Sequence, residues 1–230
     1  MKYDFLAGAT LLVDKPLDWT SFDVVNKIRY TLKQKLNIKK IKVGHAGTLD
    51  PKATGLLIIC TGKATKTLQG FQGLGKEYTG TITLGATTPS YDVETEVDQT
   101  YPIDHIDELL LDKTREQFIG DIQQLPPIYS AIKKDGVRLY KRARNGEEVE
   151  VHPRPVSIYA FDLVHVDMPK VDFICSCSKG TYIRSLAYDF GKLLGSGGYL
   201  SSLRRTQIGT HRIEDAWQLE DLLKAIEEGS

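Results

Sequence analysis

The chain has 230 residues, 41% of them hydrophobic, and its 30 basic side chains balance 30 acidic ones. This composition is typical of a globular protein built as one elaborated domain or two small ones. No apolar run approaches the ~18 residues needed to cross a bilayer, residues 1–8 lack the pattern of a secretory signal, and three cysteines are too few for a disulfide framework. We therefore expect a cytoplasmic protein and exclude membrane-spanning and disulfide-stapled classes.

The chain opens with a predicted strand and a predicted amphipathic helix. Residues 11–14 have the length and apolar character of a buried strand. Thr20 and Asp23 then occupy the reciprocal positions of a capping box, which predicts that a helix begins here. The inward face of this helix is predicted from apolar side chains at spacings of three and four. These are Phe22, Val25, Ile28, Leu32 and Leu36.

The later elements do not alternate regularly between strand and helix. Strands are predicted at residues 56–60, 76–84, 156–166, 171–178 and 199–208, and helices at 114–122, 137–145, 183–194 and 219–226. A doubly wound parallel sheet needs regular alternation, so the pattern favours an α+β fold. We expect one domain over residues 1–230, with a mixed, mainly antiparallel central sheet flanked by helices.

Charge is neutral in total but arranged in blocks along the chain. Residues 24–76 hold eleven Lys or Arg and one acid, and residues 179–212 hold six bases and one acid. Residues 86–128 hold ten acids and two bases, and residues 213–230 hold six acids and one base. A basic face assembled from the first two blocks would attract a polyanion. The alternative is that these charges form ordinary solvated helix faces.

Asp50 is the single acid of the basic block 24–76 and lies in a loop with Gly44 and Gly47, directly before Pro51. Glycines allow the backbone to approach a ligand closely, and surrounding cations keep a carboxylate ionised. This pattern indicates a nucleophile or a general base. The alternative is structural, because an Asp before Pro commonly forms an Asx turn.

Metal and phosphate-loop motifs are not found in the sequence. The five histidines, at positions 45, 105, 152, 165 and 211, have no metal-ligand spacing, and one residue rather than two separates Cys175 from Cys177. Six residues separate Gly55 from Gly62, where a phosphate loop requires four. We therefore expect no metal site, and we interpret the three cysteines as small buried hydrophobic residues.

A set of ordered motifs resembles the TruB-type pseudouridine synthases, which convert uridine 55 in the T-arm of tRNA. The resemblance covers about residues 10–225, and several motifs in one order are more specific than any single motif. They are residues 12–16 (LVDKP), 20–21 (TS), 44–55 (GHAGTLDPKATG), 76–78 (KEY), 127–133 (PIYSAIK), 154–156 (RPV), 178–186 (SKGTYIRSL) and 203–206 (LRRT). Residues 88–92 depart from the family pattern T-D-T-x-D, because its first acid is missing here.

The resemblance implies the fold of a pseudouridine synthase domain and an isomerisation that needs no cofactor. In this reaction the bond from C1′ to N1 of uracil breaks, the base rotates, and C1′ rejoins through C5. Asp50 would start the reaction as nucleophile or base, and Arg184 would pair with it and keep it ionised. Tyr78 would stack on the uracil, and Tyr182 and Leu203 would line its pocket.

The resemblance also implies an RNA-binding surface. The target uridine must be flipped out of a folded loop, and His45 would stack in the vacated space. Phosphate contacts position the RNA rather than specify its sequence. The candidates for them are Lys15, Lys39, Lys40, Lys42, Lys52, Lys63, Arg204 and Arg205. Residues 127–152, with a surplus of cations, are predicted to form a mobile flap that orders on RNA.

Three functions are compatible with these motifs. The first is a stand-alone tRNA uridine-55 synthase that binds the T-arm stem-loop as a monomer, without a membrane or a required protein partner. The second is the catalytic subunit of a guide-RNA complex, which would need a C-terminal RNA-binding PUA domain that we do not expect here. The third is a tRNA chaperone, which would tolerate the loss of Asp50. We expect the first.

Overall fold

The computed structural model describes residues 3–129, 133–134, 137–138 and 151–229, and for 133–134 and 137–138 only the backbone. The α-helices in these ranges are α1 (Ser21–Lys35), α2 (Leu68–Gln72), α3 (Glu108–Glu116), α4 (Ile183–Leu193) and α5 (Leu219–Glu228). The strands are β1 (Thr10–Lys15), β2 (Val43–His45), β3 (Ala53–Thr61), β4 (Lys76–Leu84), β5 (Ala86–Thr87), β6 (Gln99–Thr100), β7 (Gly120–Gln124), β8 (Lys133–Lys134), β9 (Val137–Arg138), β10 (Arg154–Asp167), β11 (Lys170–Cys177), β12 (Gly198–Ile208), β13 (His211–Arg212) and β14 (Trp217–Gln218). Two short 3₁₀ helices cover Gly62–Thr67 and Ile213–Asp215.

The chain packs as two compact units, which we call the first unit (residues 1–78 and 203–230) and the second unit (residues 79–202). In the first unit, the strand order is β14-β1-β3-β12, and β2 also pairs with β3. In the second unit, β4, β11, β10 and β7 are neighbours in that order. Parallel pairing of β12 with β3 accompanies antiparallel pairing of β1, β2, β7, β10 and β11. The mixed, mainly antiparallel sheet predicted from the sequence is confirmed.

The core of the first unit is built on β3, which is buried on both faces. One face, with Leu57 and Ile59, packs with side chains of β1, α1 and α5. The other face, with Leu56, Ile58 and Cys60, forms a second cluster. This explains why the strand appears in the sequence as an uninterrupted apolar run rather than an alternation. Because β3 follows the loop that carries Asp50, it gives that loop a fixed end.

α1 begins at the predicted capping box. The Thr20 hydroxyl accepts from the Asp23 amide at 3.0 Å, and the Asp23 carboxylate accepts from the Thr20 amide at 2.9 Å. The prediction that Phe22 faces inward is wrong, since its side chain is 59% exposed. Ser21, Val24 and Val25 take the inward positions at this end of the helix, which leaves Phe22 on its solvent side.

The core of the second unit is rich in aromatic rings. Phe118, Phe161, Phe173 and Phe190 form neighbouring pairs with centroids 5.5 to 6.1 Å apart, in edge-on or tilted arrangements that suit the ring quadrupole. The predicted strand pair at 156–166 and 171–178 is confirmed as β10 and β11, which are antiparallel. At the end of α4, Leu194 is buried, whereas Leu193 is 55% exposed.

The helix predicted at residues 114–122 is wrong in position. α3 begins earlier, where the Asp107 side chain accepts from the Leu110 amide at 2.8 Å, and it ends at Glu116. Gly120, with a φ of +105°, breaks the helical pattern and starts β7. Asp107 is a side chain typical of an N-cap, but the spacing of the apolar residues pointed to a later start of the helix.

Most of residues 127–152 lie outside the described residues. The mobile RNA-binding flap therefore stays a prediction. The helix predicted at 137–145 lies outside the described residues too, except for Val137–Arg138, which pair with Lys133–Lys134 as strands.

Within the described ranges, no helix is long and apolar enough to cross a membrane, and no three His, Cys, Asp or Glu side chains cluster in a way that could hold a metal ion. Cys60, Cys175 and Cys177 are buried free thiols. A hydrogen bond with Cys177, together with burial, raises the pKa of the Cys175 thiol far above its usual range. These thiols therefore act as packing residues.

Candidate active site

The loop that carries Asp50 joins β2 to β3 in the first unit. The Ala46 amide donates to the Ile58 carbonyl at 2.9 Å, and the Ala53 amide donates to the Asp50 carbonyl at 3.1 Å. The second bond closes a turn in which Pro51 holds the position that proline favours. Asp50 thus opens a turn that its backbone carbonyl closes.

Lys15, the last residue of β1, is the first of three side chains that hold this loop. It is fully buried, and its ammonium donates to the carbonyls of Pro16, at 2.8 Å, of Trp19, and of Pro51, at 3.5 Å. Burial lowers the pKa of Lys15 to about 8, and the negative charge of Asp50 partly opposes that shift. The prediction that Lys15 contacts a phosphate is not supported, because a side chain without exposed surface does not reach one.

This burial gives the protein an expected dependence of stability on pH. Between about pH 8 and pH 10.5 the unfolded chain keeps the Lys15 proton that the folded protein releases, so the free energy of unfolding rises with pH across this window. Relative to Lys15→Met, which has no titrating group here, the wild type should gain roughly 3 kcal/mol in its free energy of unfolding across this window. Urea unfolding of both proteins at about pH 7.5 and 10.5 measures this gain. A constant difference would contradict the buried ammonium.

Ser21, the first residue of α1, is the second of these side chains. Its hydroxyl donates to the Leu49 carbonyl at 3.1 Å and accepts from the Leu49 amide at 2.8 Å. Both residues are buried, so one hydroxyl satisfies both backbone groups of the residue before Asp50. The start of α1 therefore fixes the loop in position.

Arg205, in β12, is the third side chain that holds the Asp50 loop. Its guanidinium donates to the Leu56 carbonyl at 2.8 Å and to the Gly47 carbonyl at 3.2 Å. Only 1% of Arg205 is exposed, so the prediction that it contacts RNA phosphates is not supported. Lys15, Ser21 and Arg205 are called the loop anchors below.

Arg204 shares this strand but has a different partner. Its guanidinium donates to both carboxylate oxygens of Asp14, at 3.1 and 2.6 Å, in a two-pronged pair. The Gln218 side chain donates to the same carboxylate at 3.1 Å. Arg204 is thus tied to β1 while part of its side chain is exposed, and its predicted phosphate contact stays a prediction.

Three further residues expected to contact the substrate lie in or beside the sheet. His45 ends β2 and is half-buried, and its Nδ1 has no hydrogen-bond partner among the described residues. Burial lowers the pKa of His45, and the charge of Arg205 acts in the same direction, so the ring is neutral near pH 7. Tyr78 is buried in β4, and Leu203 of β12 pairs with Ala53, just after the turn.

The other basic candidates are exposed, as expected of phosphate contacts. Lys52 pairs with Asp18 at 2.7 Å at the end of the loop, and Lys63 lies in the 3₁₀ helix after β3. Lys39, Lys40 and Lys42 line one groove on the first unit. The groove is completed by Arg29, Lys33 and Ile41. We call it the lysine groove.

Arg184 lies in the second unit, at the second position of α4, where the helix dipole disfavours a cation. It is 4% exposed, and its Nε lies 3.6 Å from the Asp92 carboxylate. Its terminal nitrogens donate to the carbonyls of Ser90, at 3.1 Å, and Tyr129, at 2.8 Å. A buried carboxylate and two carbonyls thus compensate the charge.

Asp92 is a partner that the sequence analysis missed. The signal was present, because Asp92 keeps the final acid of the family pattern even though the first is absent. The expected pairing of Arg184 with Asp50 joins residues of different units and stays a prediction.

Tyr182 precedes α4 and is fixed through its backbone. The Gln124 side chain accepts from the Tyr182 amide at 2.8 Å and donates to the Tyr182 carbonyl at 3.0 Å. Gln124 is 2% exposed, so this amide is a structural clamp at the helix start. No local pattern in the sequence indicates this pairing.

Comparison with known proteins identifies the family. Residues 33–183 match the TruB family pseudouridylate synthase N-terminal domain, and residues 184–229 match the tRNA pseudouridylate synthase B C-terminal domain. The protein named tRNA pseudouridine synthase B of Flavobacterium johnsoniae is 58% identical over 93% of each chain. The protein of the same name from Phocaeicola vulgatus is 53% identical over 94% of this chain and 92% of its own. This chain belongs to the TruB family of pseudouridylate synthases.

Solved structures are similar as well. A Cbf5-Nop10-Gar1 complex contains a chain that is 30% identical, with a TM-score of 0.73 over 98% of this chain. An H/ACA ribonucleoprotein bound to a substrate RNA containing 2′-deoxyuridine contains one that is 28% identical, with a TM-score of 0.70 over the same share. This chain spans 57% and 56% of those two chains.

Proposed function

We propose that this protein converts uridine 55 in the T-arm of tRNA to pseudouridine, and that Asp50 starts the reaction. The observation that carries this proposal is the Asp50 loop: the single acid of a basic block, in a backbone fixed by three buried loop anchors. The shared name of the two bacterial relatives supports tRNA as the substrate, since they are more similar in sequence to this chain than the chain of the Cbf5-Nop10-Gar1 complex is.

The proposed reaction is an isomerisation, so substrate and product contain the same atoms. The C1′–N1 bond breaks, the C1′–C5 bond forms, C5 loses a proton, and N1 gains one. Asp50 acts as nucleophile or as base, and the rigid loop supplies the orientation that such a step requires.

The remaining pocket roles follow the family resemblance. We propose that Tyr78 stacks on the uracil and brings its hydroxyl to C5, and that Tyr182 and Leu203 line the pocket. A neutral His45 is suited to stacking in the space that the flipped nucleotide leaves, because a neutral ring costs less to desolvate against a base than a charged one. Arg184 is proposed to favour the ionised form of Asp50.

The lysine groove is proposed to bind the phosphates of the T-arm stem. It ends at Lys42, and β2 then leads from Val43 to His45 and into the Asp50 loop. A strand rises about 3.3 Å per residue, so β2 spans about 10 Å, a distance that a few nucleotides cover. An RNA whose target base lies at the Asp50 loop would thus place the phosphates of its adjoining stem in the lysine groove.

Removing two groove lysines should reduce the salt dependence of binding. Each lost phosphate contact lowers the slope of log affinity against log salt by about 0.7 to 0.9. We therefore expect Lys39→Ala/Lys40→Ala to lower the slope by about 1 to 2 without changing which uridine is modified. Lys113→Ala, an exposed lysine within the acidic block, is the matched control. An unchanged slope in the double variant would place the RNA elsewhere.

Pseudouridine mapping of an unmodified tRNA transcript tests the proposed function. Purified protein alone should convert position 55, and a transcript with cytidine there should give no product. An isolated T-arm hairpin should be converted with a specificity constant within about tenfold of whole tRNA, or about 1.4 kcal/mol. No conversion would overturn the function, whereas a hairpin worse by about a thousandfold would overturn only the T-arm as the main contact.

We also propose that the protein acts as a monomer in the cytoplasm, without a guide RNA or protein partner. The same assay tests the independence from partners, because it contains no macromolecule other than the protein and its tRNA substrate. Light scattering at the assay concentration should give the mass of a single chain. Activity that appears only after a cell extract is added would instead favour the guide-RNA alternative.

A further inference from the structure

Tyr91, in the loop between β5 and β6, has an unusual backbone conformation. Its φ is +64°, a left-handed value that bulky side chains rarely adopt. The Tyr91 amide donates to the Thr88 carbonyl at 3.1 Å, and its carbonyl accepts from the Leu200 amide at 2.9 Å. The ring stacks on Tyr188, with 4.0 Å between centroids and 18° between planes. The stack and the two hydrogen bonds maintain this conformation.

The reversal at Tyr91 brings its two neighbours to the same guanidinium. The Ser90 carbonyl accepts from Arg184 at 3.1 Å, and Asp92 Oδ2 lies 3.6 Å from Arg184 Nε. The other oxygen of Asp92 accepts from the Ser90 hydroxyl at 2.6 Å and from the Glu94 amide at 2.9 Å. These bonds orient the carboxylate so that Oδ2 faces the arginine.

Helix α4 connects the stack to this ion pair. Arg184 and Tyr188 are four residues apart, and therefore lie on the same face of the helix, one turn from each other. The loop contacts that face at two adjacent points, with Asp92 on Arg184 and Tyr91 on Tyr188. A displacement of one contact would displace the other.

We infer that Tyr91 and Tyr188 are positioning residues for pseudouridine formation: their stacked rings hold the loop so that Ser90 and Asp92 fix the Arg184 guanidinium. This inference rests on the proposed function, in which Arg184 serves the reacting site. The tyrosines need not touch the RNA, because they act through Arg184. Their loss should therefore lower the rate of the chemical step more than it lowers tRNA affinity.

The test compares single-turnover conversion of tRNA with tRNA affinity. Tyr188→Ala should reduce the single-turnover rate by about 10- to 100-fold, as misplacement of a reacting group does, while the dissociation constant changes less than about threefold. Tyr188→Phe keeps the stack and should retain the wild-type rate within about twofold. Tyr159→Ala, which removes a 62% exposed tyrosine of the same unit, is the matched control.

Two further variants separate positioning from general stability. Tyr91→Gly suits the left-handed backbone but lacks the ring, so it should show the rate defect with wild-type thermal stability. In an Asp92→Asn background, Tyr188→Ala should add little, because both changes release the same arginine. Wild-type rates in Tyr188→Ala and Tyr91→Gly, or effects fully additive with Asp92→Asn, would overturn the inference. An inactive wild type would overturn the proposed function instead.

Discussion

Asp50→Asn is expected to abolish pseudouridine formation while leaving the fold and the affinity for tRNA within a few-fold of wild type. The amide has the shape of the carboxylate, but it is neither a nucleophile nor a base. The turn is closed by the Asp50 carbonyl, which the substitution preserves. Loss of the single acid from a basic block does not weaken the attraction for phosphates. Single-turnover conversion and filter binding on the same tRNA measure both effects.

Asp18→Asn is the matched control for this substitution. Asp18 lies near the same loop, where its side chain is exposed and paired with Lys52. Its loss should leave conversion close to wild type, because exposed ion pairs contribute little. Conversion by Asp50→Asn above about a percent of wild type would contradict the catalytic assignment. Retained tRNA refolding in that variant, with conversion absent, would show chaperone activity as a separate function.

Gly55→Ala is expected to destabilise the first unit and, with it, the Asp50 loop. A Cβ at Gly55 would lie 2.3 Å from the Arg205 carbonyl oxygen and 2.6 Å from the Arg205 nitrogen. These are backbone atoms of the paired strand, so a side-chain rotation does not relieve the clash. The φ of +106° adds strain for any residue but glycine. We expect a loss of about 3 kcal/mol or more, measured by urea unfolding.

Substitution of two other glycines would separate backbone strain from the steric clash as causes of this loss of stability. Gly120 has a similar φ of +105° with no atom near its Cβ position, so Gly120→Ala should show the backbone strain alone. Gly70, within α2, also has open space around it, and Gly70→Ala should be neutral or stabilising by up to about 1 kcal/mol. Equal losses in Gly55→Ala and Gly120→Ala would contradict the close approach of β3 to β12.

The parts of the fold that were predictable have signals in neighbouring residues. The capping box at Thr20 and the apolar run of β3 depend on local chemistry, and both appear in the structure. β3 extends to Ala53 because β12 pairs with its first three residues, 53–55, and this pairing depends on a distant part of the sequence. Helix α3 was misplaced for a similar reason, since an apolar spacing that continues past Gly120 does not show where the helix gives way to β7.

The residues of the candidate site likewise divide into those that the sequence indicates and those whose roles only the structure shows. Asp50 stands out in the sequence because its charge differs from that of its surroundings. Lys15 and Arg205 carry the same charge as the exposed lysines, and only the structure shows that they are buried against carbonyls. A sequence shows the sign of each charged side chain but not whether that side chain is buried. Asp92 was overlooked because its partner Arg184 follows ninety-two residues later in the chain.

Two of the loop anchors, Lys15 and Ser21, are synthesised early, whereas the third, Arg205 of β12, is synthesised much later. When about 200 residues have been made, the nascent chain already contains Asp50, its whole loop, Lys15 and Ser21. It still lacks Arg205, which holds Gly47 and Leu56 from the far end of the sequence. The Asp50 loop therefore gains its complete set of anchors only after Arg205 has been added to the growing chain. Until then, the carbonyls of Gly47 and Leu56 lack the guanidinium that donates to them in the folded protein.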